Sequence, residues 1–176
     1  ADNEEDFVLT IQRGVMYKMK LDTNATRLAF QRLDPESCDS TKYMWMNPME
    51  MDRNNDDIIY WAEGNKLWRN NDLSSIAYNS SHQKSDLGWD MFSDTLPNQN
   101  LKISVITTSL NPKNVVYFGT QNKDVYRVDD AHIGDPVVTQ LSNIPTVNNS
   151  YCTDIAVNPD NADELIVVYS NYSIYS

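Results

Sequence analysis

The chain has 176 residues, 40% of them apolar and 22% charged, the make-up of about one globular domain rather than of a disordered segment. With 25 acidic against 14 basic residues the formal net charge is −11, a field that repels a nucleic-acid backbone or an anionic membrane. The uncharged apolar runs are strand-sized, which excludes a transmembrane helix, and the acidic stretch Ala1-Asp2-Asn3-Glu4-Glu5-Asp6 does not have the pattern of a signal peptide.

In chain order, no window of a dozen residues keeps an i, i+3, i+4, i+7 apolar stripe with caps at its ends. Short β-branched and aromatic runs separated by Asn, Asp, Gly and Pro predict antiparallel strands joined by tight turns. Residues 6–34 read as the last three strands of a four-stranded unit, with Arg13-Gly14 as the first hairpin turn. Residues 43–96 read as a complete unit. Its predicted strands are Tyr43–Met51, Asp57–Ala62, Lys66–Arg69 and Gly88–Ser93, with Asn70–Leu87 as an inserted loop. Residues 101–143 read as another, with strands Lys102–Leu110, Val115–Thr120, Asp124–Val128 and Val137–Leu141. Residues 151–176 read as the first three strands of the next.

The units repeat one grammar: an Asx turn, an apolar strand, a polar tight turn, then a strand carrying an aromatic. Ile58–Trp61, Val115–Phe118 and Leu165–Tyr169 are apolar on both faces, which predicts strands covered above and below. Gly14 and the Gly64-Asn65 pair supply the positive φ of a short hairpin. The repeated turns begin at Asp52, Asn111 and Asn158, roughly 50 residues apart, and a repeat of that length with four strands predicts β-propeller blades. The fold expected is therefore all-β: about three and a half blades, part of a larger propeller. The remainder is expected from the same longer chain or from a second copy, because an open blade exposes sheet edges that proteins avoid.

Asp52, Asn54, Asp56 and Glu63 have the spacing of a calcium loop, but Asp57 stands where glycine is required, so the stretch reads as a structural turn. No metal and no cofactor is expected. Glu50, Glu63, Asp90 and Asp154 are possible catalytic carboxylates, and nothing in the sequence selects a pair. Arg69 and Arg127 occupy matching repeat positions, which suggests a role within the blades. His82 and His132 are isolated. Cys38 and Cys152 are too few for a disulfide scaffold and wrongly spaced for zinc, which leaves two buried thiols or one long-range bridge. Asn-x-Ser/Thr sequons start at Asn24, Asn79, Asn148 and Asn171. Trp45, Trp61, Trp68 and Trp89 are the candidate binding residues, since aromatic faces stack on sugars or anchor protein partners. The competing use of these tryptophans is packing between blades.

The stretches Asp57–Leu73, Asn114–Thr120 and Asp154–Ala162 resemble Asp-box propellers, the bacterial neuraminidase repeat superfamily that includes sialidases, xyloglucanases and sortilin-type receptors. The closer likeness is to secreted Bacteroidota proteins carrying such propellers, often with a type IX sorting domain. The Asp box itself is nowhere intact; Ser85-Asp86-Leu87-Gly88-Trp89 is a compressed remnant. The resemblance implies a secreted or cell-surface module, more scaffold than enzyme, that binds a protein or polysaccharide partner. The alternatives it implies are a fragment of a sialidase- or xyloglucanase-like glycoside hydrolase, or a subunit of an envelope or secretion complex.

Overall fold

A computed structural model describes residues 4–145 and 150–171. The sequon at Asn148 and the third-strand residues Tyr172–Tyr175 lie outside the described residues. Within them the chain is all-β, with four antiparallel sheets of two to four strands. Sheet one holds β1 (Glu5–Thr10), β2 (Met16–Leu21) and β3 (Arg27–Arg32). Sheet two holds β4 (Met49–Asp52), β5 (Asn55–Glu63), β6 (Lys66–Asn70) and β7 (Trp89–Met91). Sheet three holds β8 (Ile103–Thr108), β9 (Val116–Thr120), β10 (Val125–Val128) and β11 (Val138–Gln140). Sheet four holds β12 (Tyr151–Asn158) and β13 (Asn161–Ser170). Each sheet is a meander in chain order.

The sheets stack in sequence, with one apolar core in each interval. Pleating explains how one strand serves two cores. On β5, Ile59 and Trp61 point toward sheet one and join Met16, Leu33 and Trp89. Ile58, Tyr60 and Ala62 point the other way and join Ile106, Phe118 and Tyr126 of sheet three. On β9 and the residue before it, Val116 and Phe118 face sheet two, while Val115 and Tyr117 face sheet four with Ile155 and Val157. β13 departs from its prediction. Leu165, Val167 and Tyr169 pack on sheet three, but Ile166 is 70% exposed and Val168 47%, so only one of its faces is covered. Cys38 and Cys152 are free thiols buried in different cores, and burial pushes each up to about 12.

Two devices recur at the joins between sheets. A backbone bond marks equivalent positions: the residue after each outer strand, Leu33, Phe92 or Leu141, donates its N–H to Met16, Leu67 or Val125 at 2.8, 3.0 and 2.9 Å. Shortly beyond the first two lies a serine held by an aspartate of the next sheet. Ser37 donates its N–H (2.9 Å) and hydroxyl to Asp86, and Ser93 donates its N–H (2.8 Å) and hydroxyl to Asp135. Asp86 and Asp135 each stand three residues before an outer strand. The second device is a cation. Lys18 donates to the carbonyls of Leu73 (2.8 Å) and Ile76 (3.5 Å) in the next sheet's loop. Arg69 does the same to Ala131 (2.7 Å) and Gly134 (3.0 Å).

The inserted loop 71–88 is a strap. Ser81 bridges Gln31 on β3 and accepts from the Arg32 N–H at 3.0 Å, while His82 Nδ1 lies 2.9 Å from the Tyr17 hydroxyl. The loop therefore covers an edge strand that would otherwise offer unpaired backbone groups.

The serine–aspartate clamps make stability acid-sensitive. The Ser93 hydroxyl and N–H hold Asp135 below its ordinary value. For Asp86 burial pushes upward, but bonds from Ser37 and the Glu36 N–H bring the net shift below it as well. A carboxyl depressed in the folded state stabilises the fold above its unfolded pKa and loses that contribution as pH falls through the folded value. Urea midpoints are therefore expected to hold from pH 7 to about 5 and to drop below about 4. The drop should be smaller in an Asp86→Asn/Asp135→Asn double variant.

Candidate functional site

The site grows out of the first hairpin turn. Arg13 and Gly14 close β1 onto β2 with φ of 61° and 73°. A Cβ at Gly14 would lie 2.7 Å from Tyr43 Cγ, so glycine here leaves room for a buried tyrosine ring. Tyr43 turns inward and meets Trp61 edge-on, with centroids 5.5 Å apart. The residues after it turn outward. Asn47 Oδ1 accepts from the Met44 N–H at 2.9 Å, and its Nδ2 donates to the Ala62 carbonyl at 2.6 Å. That side chain closes a short loop whose tip is Trp45-Met46 and ties it to β5. The Arg13 N–H donates to the Trp45 carbonyl at 2.9 Å, and the Arg13 guanidinium lies 5.9 Å from the indole centroid.

The result is a preformed apolar platform. Trp45 is 61% exposed, Met46 81% and Ile11 50%. Together with Thr10 and Gln12 they line a cleft of about 410 Å³. Single exposed apolar residues are ordinary on a protein surface. Three of them contiguous, on backbone that side-chain hydrogen bonds already hold, form a surface suited to contact.

The four sequence-selected tryptophans do not form one surface. Trp61, Trp68 and Trp89 sit in the core between sheets one and two. Trp68 Nε1 donates to Glu63 Oε2 and Trp89 Nε1 to the Leu33 carbonyl, both at 2.8 Å. Of the four, Trp45 alone is exposed. Ile11, Met46 and Arg13 were not selected from sequence. The signal that could have found them is Asn47-Pro48, a turn dipeptide inside what reads as a strand.

The candidate carboxylates also separate. Glu63 is sealed inside, accepting from Trp68 and from the Asp39 N–H at 3.1 Å. Asp90 is exposed on an outer strand beside Arg69 at 3.3 Å. Glu50 and Asp154 lie on the first strands of sheets two and four, and the Asp154 charge reaches Glu50. Burial raises the Glu50 pKa; Arg53, 3.7 Å away, opposes this, and the charges of Asp154 and Asp52 add to it. Arg53 Nη2 donates to Thr107 Oγ1 at 3.4 Å, which ties the turn after β4 to β8.

The calcium-like spacing does not converge. Asp52 Oδ1 accepts from the Asn54 N–H at 2.8 Å, closing the β4–β5 turn, while Glu63 lies at the far end of β5. Among the described residues no group of three or more His, Cys, Asp or Glu could hold a metal ion. No described helix is long and apolar enough to cross a membrane.

Comparison of the chain with protein-family models, with curated proteins and with solved structures gave no match.

Proposed function

We propose that the chain is a β-propeller module, secreted or displayed at the cell surface, that binds a polysaccharide at the Trp45 platform. The propeller reading is supported by the face-to-face stacking of meander sheets in chain order and by the recurrence of the same turns and inter-sheet clamps. The extracellular placement follows the Asp-box resemblance. The observation that carries the binding reading is the exposed indole of Trp45 on a loop pinned by Asn47, flanked by the polar side chains of Thr10 and Gln12. An indole face stacks on the apolar face of a pyranose, and neighbouring amide and hydroxyl groups take its ring hydroxyls.

The test is affinity gel electrophoresis through soluble polysaccharides, with xyloglucan, mixed-linkage β-glucan and a sialylated glycan as probes. At least one is expected to retard the chain, and Trp45→Ala should weaken that retardation about tenfold or more, the range of an aromatic hot spot. Because Trp45 is exposed, the variant should keep its unfolding midpoint. Retardation by none of the probes, or retardation that survives Trp45→Ala, overturns the reading.

Glu50, whose carboxyl is held above its ordinary range by burial and by the charge of Asp154, favours a second reading, a glycoside hydrolase site. It is supported instead if the same polysaccharides release reducing ends and Glu50→Gln stops the release.

A further inference from the structure

Acids outnumber bases in this chain by 25 to 14, so a place where basic side chains gather without acids stands out. Seven of the 14 basic residues form ion pairs. Lys18 is bonded to loop carbonyls, and Arg27 lies over the Phe30 ring. Of the others, Arg13, Lys42 and Lys102 have no carboxylate at ion-pair distance among the described residues, and all three border the Trp45 loop. The Arg13 guanidinium lies 5.9 Å from the Trp45 centroid. Lys42 directly precedes Tyr43, and its side chain lies against Gly64 of the β5–β6 turn. Lys102 Nζ donates to the Tyr43 carbonyl at 3.4 Å.

Backbone bonds hold these groups on one face. The Ile103 N–H donates to the Gly64 carbonyl at 2.8 Å, and the Gln121 N–H to the Lys102 carbonyl at 3.0 Å. Hairpin turns of sheets one, two and three therefore meet around the Trp45 loop. Carboxylates are few here. Glu63 is sealed inside. Asp39 is already taken: the Thr41 hydroxyl and N–H hold its carboxyl below the ordinary range, and the charges of Lys42 and Lys66 add a smaller pull. The net charge of −11 belongs to the whole surface. At physiological salt, exposed charges are screened beyond about 8 Å. An anion at the Trp45 loop thus meets the adjacent cations and not the distant acids.

We infer that the ligand of the Trp45 platform is an anionic polysaccharide, whose carboxylate or sulfate groups meet Arg13, Lys42 and Lys102 while a sugar ring stacks on the indole. The inference rests on the binding reading above and names its ligand class. The planar fork of Arg13 suits a carboxylate or sulfate beside the stacked ring. Lys42 and Lys102 act as point charges for groups further along the polymer. A neutral glucan would cover these cations without giving them a counter-charge, which costs desolvation with no return.

Biolayer interferometry on immobilised polymers at about 0.15 M salt tests this. The anionic probes are the sialylated glycan, polygalacturonate and a sulfated galactan. Xyloglucan and mixed-linkage β-glucan are the neutral controls, and poly-glutamate is a polyanion without sugar rings. The chain is expected to bind the anionic polysaccharides and neither neutral one, and the balance between polygalacturonate and the sulfated galactan tells carboxylate from sulfate recognition. Arg13→Gln and Lys102→Gln should each weaken binding roughly threefold, the range of an exposed ion pair, and together about tenfold. Lys113→Gln removes the same charge from the exposed turn at the other end of β8 and should change nothing. All three side chains reach solvent, so the variants should keep the parent's unfolding midpoint. Binding to a neutral glucan as tight as to the anionic probes overturns this inference and leaves the Trp45 reading standing. Binding to no polysaccharide overturns both. Equal binding of poly-glutamate, or an equal loss in Lys113→Gln, would reduce the effect to charge alone and overturn the inference.

Discussion

Trp61→Ala is expected to cost about 3–5 kcal/mol, the range for emptying a buried large aromatic site. Trp61 is the largest side chain in the molecule with essentially no exposure. It faces sheet one from the middle of β5 and meets Tyr43, which in turn fills the space that Gly14 leaves. Removing the indole therefore uncouples three things at once: sheet one from sheet two, the Tyr43 ring from its seat, and the Trp45 loop from its anchor. For a chain of this size the loss corresponds to a fall in Tm of roughly 10–15 °C. Trp61→Phe should cost much less, since it keeps most of the volume and Trp61 Nε1 makes no hydrogen bond in the fold. Trp45→Ala, by contrast, should leave Tm unchanged. Thermal melts of the three variants separate the aromatic that holds the sheets together from the one placed to meet a ligand.

The same comparison shows why the fold was more legible than the site. β5 and β9 lack the alternation of a half-exposed strand, and continuous apolar runs of that length imply cover on both sides. That inference needs only the strand itself. Gly14 and Gly64 announced their turns because positive φ is a local requirement. The third hairpin meets the same requirement with Lys123 at φ 60° and offers no glycine to read. Of the predicted strand Tyr43–Met51 only Met49–Met51 is strand, within β4, although the composition of the rest suits one. Pro48 has no N–H for a ladder, and the Asn47 side chain binds the Met44 N–H within the turn and the Ala62 carbonyl on β5. Which tryptophan is exposed is decided by partners: Gly14 for Tyr43, Glu63 for Trp68, Leu33 for Trp89. The first and last of these pairings are 29 and 56 positions apart in sequence, beyond any local pattern; Glu63 and Trp68 are only 5 apart, across the β5–β6 hairpin. The half-covered face of β13 belongs to the same class, since Leu165–Tyr169 is as apolar as its counterparts and differs only in what lies beside it.

Gly119→Ala should destabilise the join between sheets three and four, by about 3 kcal/mol at the upper end of the overpacking range. The reason is space and not backbone freedom. A Cβ at Gly119 would lie 2.7 Å from Cys152 Cβ and 2.9 Å from Val105 Cγ1, with Cys152 Sγ closer still. The sulfur can rotate away, but the Cys152 Cβ is fixed to β12, so the sheets themselves must part. Sheet four meets sheet three along the core of Val115, Tyr117, Val125, Cys152, Ile155 and Val157, and a separation there loosens every contact in it. A second substitution distinguishes this account from a general dislike of alanine in β9. Cys152→Ala removes the sulfur and leaves the Cβ conflict, so it should rescue Gly119→Ala only in part. Cys152→Gly removes both and should rescue most of the loss, although on its own it weakens the strand by roughly 1 kcal/mol or more. The expected coupling between positions 119 and 152 is thus about 1–3 kcal/mol and favourable in the double variant. Denaturant unfolding of the four-member cycle measures it directly. Additive losses would place the strain elsewhere and remove the steric basis for reading Gly119 as the residue that sets how closely sheet four is held against sheet three.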